Sequence, residues 1–217
     1  MHKGVKIQKS KIQLMLKTYC VLITDYREQQ SHIENYFAAP YKDEVKPRKN
    51  VVRLPLIAGD YTFAIFPNDT LQNGCPIMFE RELLIEKKSG DILAGGGFAE
   101  MKHNISGAGH AKFKEEFQFP AKNFYLLLEN TTDMNDIFAV KRGQATNDTY
   151  NKAFNTFLAN RNDERQEKGL NPIEIIHCNQ YESGRIVKKL IIDYVVKNFD
   201  EIQDAVKFIN NIKKGEL

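Results

Sequence analysis

Glu86 and Lys88 end the apolar run Leu83-Leu84-Ile85. Standing two positions apart, they would project from one face of a strand end, an acid beside a base. Upstream, Ala58-Gly59-Asp60-Tyr61 brings a second acid out of a glycine turn onto the head of another run, Tyr61-Thr62-Phe63-Ala64-Ile65-Phe66. If the two runs pair, Asp60 and Glu86 converge on one cation. A hard divalent ion takes oxygen ligands in octahedral geometry, so these carboxylates and a backbone carbonyl near Lys87 would hold Mg2+ or Mn2+ and leave room for water and phosphate. Phosphodiester hydrolysis needs an activated water, charge stabilisation in the transition state and a neutralised leaving oxygen. A carboxylate-held cation supplies all of these, and Lys88 would orient or deprotonate the water. Taken alone, a charged strand end is more often a solvated tail, so the reading rests on what surrounds it.

Thr18 to Thr24 is rich in β-formers and runs straight into the charged cluster Asp25-Tyr26-Arg27-Glu28-Gln29, at a strand exit where α/β sites gather. Ser31 to Ala39 predicts a short helix with Ile33, Tyr36 and Phe37 inward, and Pro40 to Asn50 a charged loop. Val51 to Leu56 and Tyr61 to Phe66 predict consecutive strands of an antiparallel meander around Gly59-Asp60. Core or rim packing is expected of Tyr26 and Tyr61 ahead of base stacking. The glycine-rich Gly90 to Gly109 lacks the Gly-Lys-Ser/Thr of a phosphate-binding P-loop and reads as a flexible loop.

Further on, Ala111 to Phe117 predicts a short helix with Phe113 and Phe117 on one face, and Phe124 to Asn130 a central strand covered on both sides. A helix capped by Asn147 or Asp148 presents Tyr150, Ala153, Phe154, Phe157 and Leu158 to a sheet. Ile173 to His177 predicts a buried strand and Ser183 to Phe199 a helix; this β-α-β-α alternation favours parallel crossovers. Behind an Asp200 cap, Ile202, Ala205, Val206, Ile209 and Ile212 form a helical stripe that would serve its own domain or a homodimer seam. The division expected is a basic arm at 1–16, a main domain at 17–199 and an amphipathic helix at 200–217.

With 217 residues, 42% of them hydrophobic, the chain can bury a sizeable core,. No stretch is long and apolar enough to span a bilayer, and the basic start lacks a signal-peptide core, so a cytoplasmic protein without membrane partners is expected. Cys20, Cys75 and Cys178 show no paired spacing and read as reduced structural thiols,. A net charge of +3 neither requires nor excludes nucleic acid,. Lys87, Lys88, Lys102, Lys112 and Lys114 do gather positive charge around the candidate acids, with His103 a further phosphate contact.

Asp60 followed by Glu86-x-Lys88 matches the Asp, Glu-x-Lys arrangement of restriction-endonuclease-like nucleases. With Asp25-Tyr26-Arg27-Glu28 before it and Asp91 after it, the set resembles, in order and spacing, the nuclease domain of XPF-type structure-specific endonucleases, especially their compact phage and bacterial relatives. That family reads Asp-x-Arg-Glu, Gly-Asp-Tyr, and Glu-Arg-Lys with a later Asp. The resemblance covers roughly residues 18 to 95, and His110 to Phe117 and Phe124 to Asn130 extend it. It implies an α/β fold with a mixed central sheet flanked by helices, further C-terminal helices, and a metal-dependent DNA endonuclease acting on branched, flapped or otherwise structured DNA. Carried over by position, Asp25, Asp60 and Glu86 are the acidic metal site, Lys88 the catalytic lysine, and Arg27, Glu28, Lys87 and Asp91 supporting residues. Lys87 replaces the family's arginine and loses its bidentate grip, and Asp91 comes one residue early. A nuclease-like DNA-binding or scaffold protein, or a sequence-specific restriction enzyme, remains open on the same residues.

Overall fold

The computed structural model describes residues 20–28, 31–39, 50–66, 76–89, 115–131 and 147–214. Asp91, Lys102, His103, Lys112 and Lys114 lie outside them, as do the arm at 1–16 and the glycine-rich segment 90–109.

A mixed seven-stranded sheet organises the chain. Its strands are β1 (Cys20–Asp25), β2 (Val51–Leu54), β3 (Tyr61–Ile65), β4 (Ile77–Met78), β5 (Leu83–Ser89), β6 (Asn123–Glu129) and β7 (Glu174–Cys178). The order across the sheet is β2-β1-β3-β5-β6-β7, with β4 beside β3. Its helices are α1 (His32–Ala38), α2 (Asn147–Glu167), α3 (Ser183–Lys197) and α4 (Phe199–Lys214). The mixed α/β architecture, a mixed central sheet with flanking helices, is the expected fold class.

β1 and β3 are runs of β-formers whose side chains are buried on both faces, and they occupy the middle of the sheet,. Helices lie on both faces of β5 and β6, whereas the second face of β1 and β3 packs, among the described residues, on Leu56 and Phe66. Leu83, Ile85 and Leu127 share one core cluster with Ile33 of α1, Val187 of α3 and Ile202 of α4. Leu84, Leu126 and Leu128 share the other with Phe117 and with Phe154 and Phe157 of α2. The period-two alternation of β5 therefore assigns Glu86 and Lys88 to the α2 face, behind Leu84. At the end of α2, buried Arg165 donates to Asn171 O and Ala121 O at 2.8 and 2.7 Å, fastening the helix to the chain that enters β6.

The antiparallel meander forms only in its second leg: β3 pairs antiparallel with β4 and β5, but β2 does not pair with β3. β1 lies between β2 and β3, pairing parallel with the first (Asp25 opposite Leu54) and antiparallel with the second (Thr24 opposite Tyr61). Non-local pairing with β1 satisfies both edges that a hairpin would have joined, and the 55–60 connection crosses the end of β1. Three smaller expectations also change. Tyr36 is exposed while Ile33 and Phe37 are buried, because α1 is short and only one side meets the sheet. β7 is the last strand of the sheet and mostly half-buried, unlike the covered β6. Asp200 stands in the first turn of α4, which starts at Phe199, so it faces the helix N-terminus as a first-turn acid rather than a cap,. Ile202 and Val206 of α4 pack on the chain's own core.

Candidate active site

Three acids meet at one end of the sheet because β3 runs against its neighbours. Tyr61 pairs with Thr24 on β1 and with Ile85 on β5. One step further along this register brings Asp25, Asp60 and Glu86 into a row across β1, β3 and β5. Backbone bonds hold the row: Asp25 N–H donates to Asp60 O at 2.8 Å and Asp60 N–H to Ile85 O at 2.9 Å.

Gly59 makes the turn that starts this row. Its φ of +71° is in the region glycine favours, and a Cβ there would meet Leu84 Cγ and Cδ1 at 2.7 Å,. The glycine thus lets the backbone of residue 59 lie against β5, and Asp60 follows within reach of it. Asp60 Oδ2 accepts the Lys87 N–H at 2.7 Å.

Electrostatics separate the three acids. Asp25 is 2% exposed. Its Oδ1 accepts Arg27 N–H and Nε–H at 2.8 and 2.7 Å, and its Oδ2 accepts Arg27 Nη2–H and Leu56 N–H at 2.8 and 2.9 Å. Burial pushes its pKa up, but these donors and the guanidinium charge outweigh burial and bring it down to about 2,. Glu86, also 2% exposed, is pushed up to about 7: burial is the largest cause, Lys88 opposes it, and Glu116 and Glu28 add repulsion. Asp60 is raised well above the carboxylate range by burial, then by Glu86 and Glu28, against the pull of the Lys87 N–H and Lys88. Lys88 Nζ stands 2.6 Å from Glu86 Oε1. Burial works against its charge, yet Glu86 more than offsets this and holds the ammonium protonated.

The supporting residues pair among themselves. Arg27 is bound to Asp25, and Lys87, which alternates to the opposite face of β5, forms an ion pair with Glu28. Glu34, whose carboxylate also closes the capping box of α1 with Ser31, is gripped by Arg53 at 3.0 and 2.6 Å,. Tyr61 is fully buried with its hydroxyl on Ser31 Oγ at 2.8 Å, whereas Tyr26 is exposed beside the row.

Glu116 is a neighbour that sequence reasoning missed. Its charge acts on Glu86, Lys88 and Arg27 from the helical turn 115–118. The available signal was its adjacency to Phe117, which is buried in the α2-face core and fixes that turn over the site.

A divalent cation suits Asp60 and Glu86. Two crowded, buried carboxylates that repel one another are the oxygen donor set a hard cation neutralises. Asp25 does not fit as a first ligand while its oxygens serve Arg27 and Leu56, and among the described residues no group of three or more His, Cys, Asp or Glu ligands gathers. No helix among the described residues is long and apolar enough to cross a membrane.

No protein-family model matches the chain, and no curated protein matches its sequence. Among solved structures, the chain is similar to XPF from Aeropyrum pernix at 12% identity and a TM-score of 0.42; the match covers 78% of this chain and 58% of that one. This chain thus spans less than two thirds of that structure's length.

Proposed function

We propose that this chain is a metal-dependent DNA endonuclease, cutting phosphodiester bonds with Mg2+ or Mn2+ held between Asp60 and Glu86. The observation that carries the reading is this buried carboxylate pair on adjacent strands, both raised in pKa by burial first and Asp60 further by the charge of Glu86, with the Lys88 ammonium fixed on Glu86. When bound, the cation would acidify a water and draw charge from the phosphate.

The chain's own groups set the remaining tasks. Lys88 is held charged, so it serves as a donor that orients the attacking water and as positive charge for the transition state; a protonated ammonium takes up no proton. Asp25 positions Arg27, whose half-exposed guanidinium is offered to a neighbouring phosphate,. Glu28 and Lys87 neutralise each other at the strand ends. Asp91 is proposed as a supporting acid on the resemblance of the sequence alone, and Lys102, His103, Lys112 and Lys114 as flanking contacts to DNA on their charge and hydrogen-bonding capacity. Branched, flapped or otherwise structured DNA is the proposed substrate on the resemblance of the sequence.

The test is cleavage of duplex, flap, fork and four-way DNA with Mg2+ or Mn2+ by wild type, Asp60→Ala, Glu86→Gln and Lys88→Ala. Loss of at least one substrate's cleavage in all three variants supports the reading. An intact panel with wild type, or unchanged cleavage by Asp60→Ala, overturns it. The engagement of Asp25 by Arg27 favours one second reading, a nuclease-like DNA-binding protein that does not cut. Calorimetry that finds DNA binding and no Mn2+ binding would select that reading.

A further inference from the structure

The end of the sheet that carries the acids also exposes two large apolar side chains. Tyr26 is 59% exposed and Ile57 76%. Both flank Asp25. Tyr26 follows it directly and donates its N–H to Leu54 O at 3.1 Å. Ile57 follows Leu56, whose N–H binds Asp25 and whose carbonyl accepts Arg27 Nη2–H. The Arg27 guanidinium, fixed on Asp25, stands 5.9 Å from the centre of the Tyr26 ring.

Single exposed apolar residues are ordinary and need no function. Here a tyrosine face, a cation and an aliphatic side chain border one ion pair, at the end of the row of carboxylates that Asp25 shares with Asp60 and Glu86. An aromatic face stacks on any nucleobase, and an adjacent guanidinium favours the anionic backbone that carries the base. A protein partner would bring no such anion at a regular place.

We propose that Tyr26, flanked by Arg27 and Ile57, is a stacking ledge for an unpaired nucleobase of the strand whose phosphate meets the Asp60–Glu86 pair. The proposal rests on the nucleic-acid reading of that pair. Asp25 lies two strand spacings from Glu86, about 10 Å, so the ledge contacts a nucleotide next to the reacting one, and Tyr26 sets specificity rather than taking part in chemistry. In continuous duplex the base faces are covered by their neighbours, and pulling one out costs a few kcal/mol. A strand that is already splayed pays none of this, so the ledge discriminates by base pairing and not by base identity.

The test uses 2-aminopurine as a stacking reporter. Single-stranded and duplex oligonucleotides carrying it are titrated with Asp60→Asn protein, which prevents cutting, with and without Tyr26→Ala or Tyr26→Phe, each checked for unchanged thermal unfolding. Tyr26→Ala is expected to weaken single-strand binding roughly tenfold or more and abolish the fluorescence change. Tyr26→Phe should retain both, and duplex binding should shift little. Equal single-strand affinity and signal in the alanine variant overturns the ledge; so does an equal loss on duplex. If wild type cuts no substrate while the Tyr26-dependent signal persists, hydrolysis fails and the ledge stands. If wild type cuts flap DNA and Tyr26→Ala matches it in KM, the ledge fails and hydrolysis stands.

Discussion

Replacing Glu86 by glutamine should stabilise the metal-free protein and abolish its stabilisation by metal. Glu86 titrates near 7 in the fold against an ordinary 4.5, and it is almost fully buried. A carboxyl whose folded pKa lies above its unfolded one stabilises the fold while protonated. That contribution is complete below pH 4.5 and is lost as pH rises through 7. At pH 8, ionised Glu86 therefore costs the fold about 3 kcal/mol, a figure that already includes the attraction of Lys88. At pH 5 the cost falls below about 1 kcal/mol. Glutamine keeps the shape without the charge, so the gain in EDTA should be about 3 kcal/mol at pH 8, or roughly 6–12 °C in Tm for a chain of this size, and small at pH 5. Mn2+ should then raise the Tm of wild type at pH 8 and leave Glu86→Gln unmoved. Thermal unfolding at both pH values, with EDTA or Mn2+, reads all of this. A variant less stable than wild type at pH 8 in EDTA, or one whose gain is the same at pH 5, would refute the claim that Glu86 is an ionised, destabilising group awaiting a cation.

Three other outcomes follow from the same geometry. Gly59→Ala forces a Cβ into Leu84 at a positive φ and should cost about 3 kcal/mol in urea unfolding, with cleavage falling alongside,; wild-type stability would show that the turn is not constrained. Asp25 has the opposite sign to Glu86. Its folded pKa of about 2 lies below the ordinary 3.8, so its contribution of about 2 kcal/mol is present above pH 4 and is lost as pH falls toward 2,. Asp25→Asn should be less stable than wild type at pH 7 by about that amount, and the two unfolding curves should converge near pH 2. Arg165→Met, which strands the carbonyls of residues 119, 121 and 171, should cost about 3 kcal/mol in urea unfolding and leave the metal-dependent Tm shift in place,; an unchanged midpoint would refute its role as a staple.

The parts of this arrangement that sequence makes legible are those set by short-range geometry. Two-residue alternation puts Glu86 and Lys88 on one face, and a glycine turn before an alternating run puts Asp60 at a strand head. The β6-α2-β7-α3 succession likewise follows from local periodicity. What fails is whatever depends on which distant strand arrives first. Val51 to Leu54 and Tyr61 to Ile65 look like a hairpin, but the intervening pairing with β1 is written in neither segment. The occupation of Asp25 by Arg27 is local in sequence, yet its completion by Leu56 N–H requires the 55–60 connection to pass over β1. Glu116 enters through the docking of Phe117, a tertiary event that periodicity cannot foresee.

The inserted β1 also explains why the acids can stand so close. A strand end and a strand start lie side by side only where neighbours run in opposite directions, so antiparallel β3 brings its first residues to the ends of β1 and β5. The sequence then neutralises the two flanks from within: Asp25-x-Arg27 and Glu86-x-Lys88 each place a cation two residues along, within reach of the acid it follows. Asp60, between them, is followed by Tyr61 and Thr62, and its described hydrogen-bond donor is the uncharged Lys87 N–H. The unneutralised member of the row is thus the central one, and Lys88, already committed to Glu86, answers it only at a distance. A divalent ion between Asp60 and Glu86 would complete the alternation of charge that Arg27 and Lys88 begin.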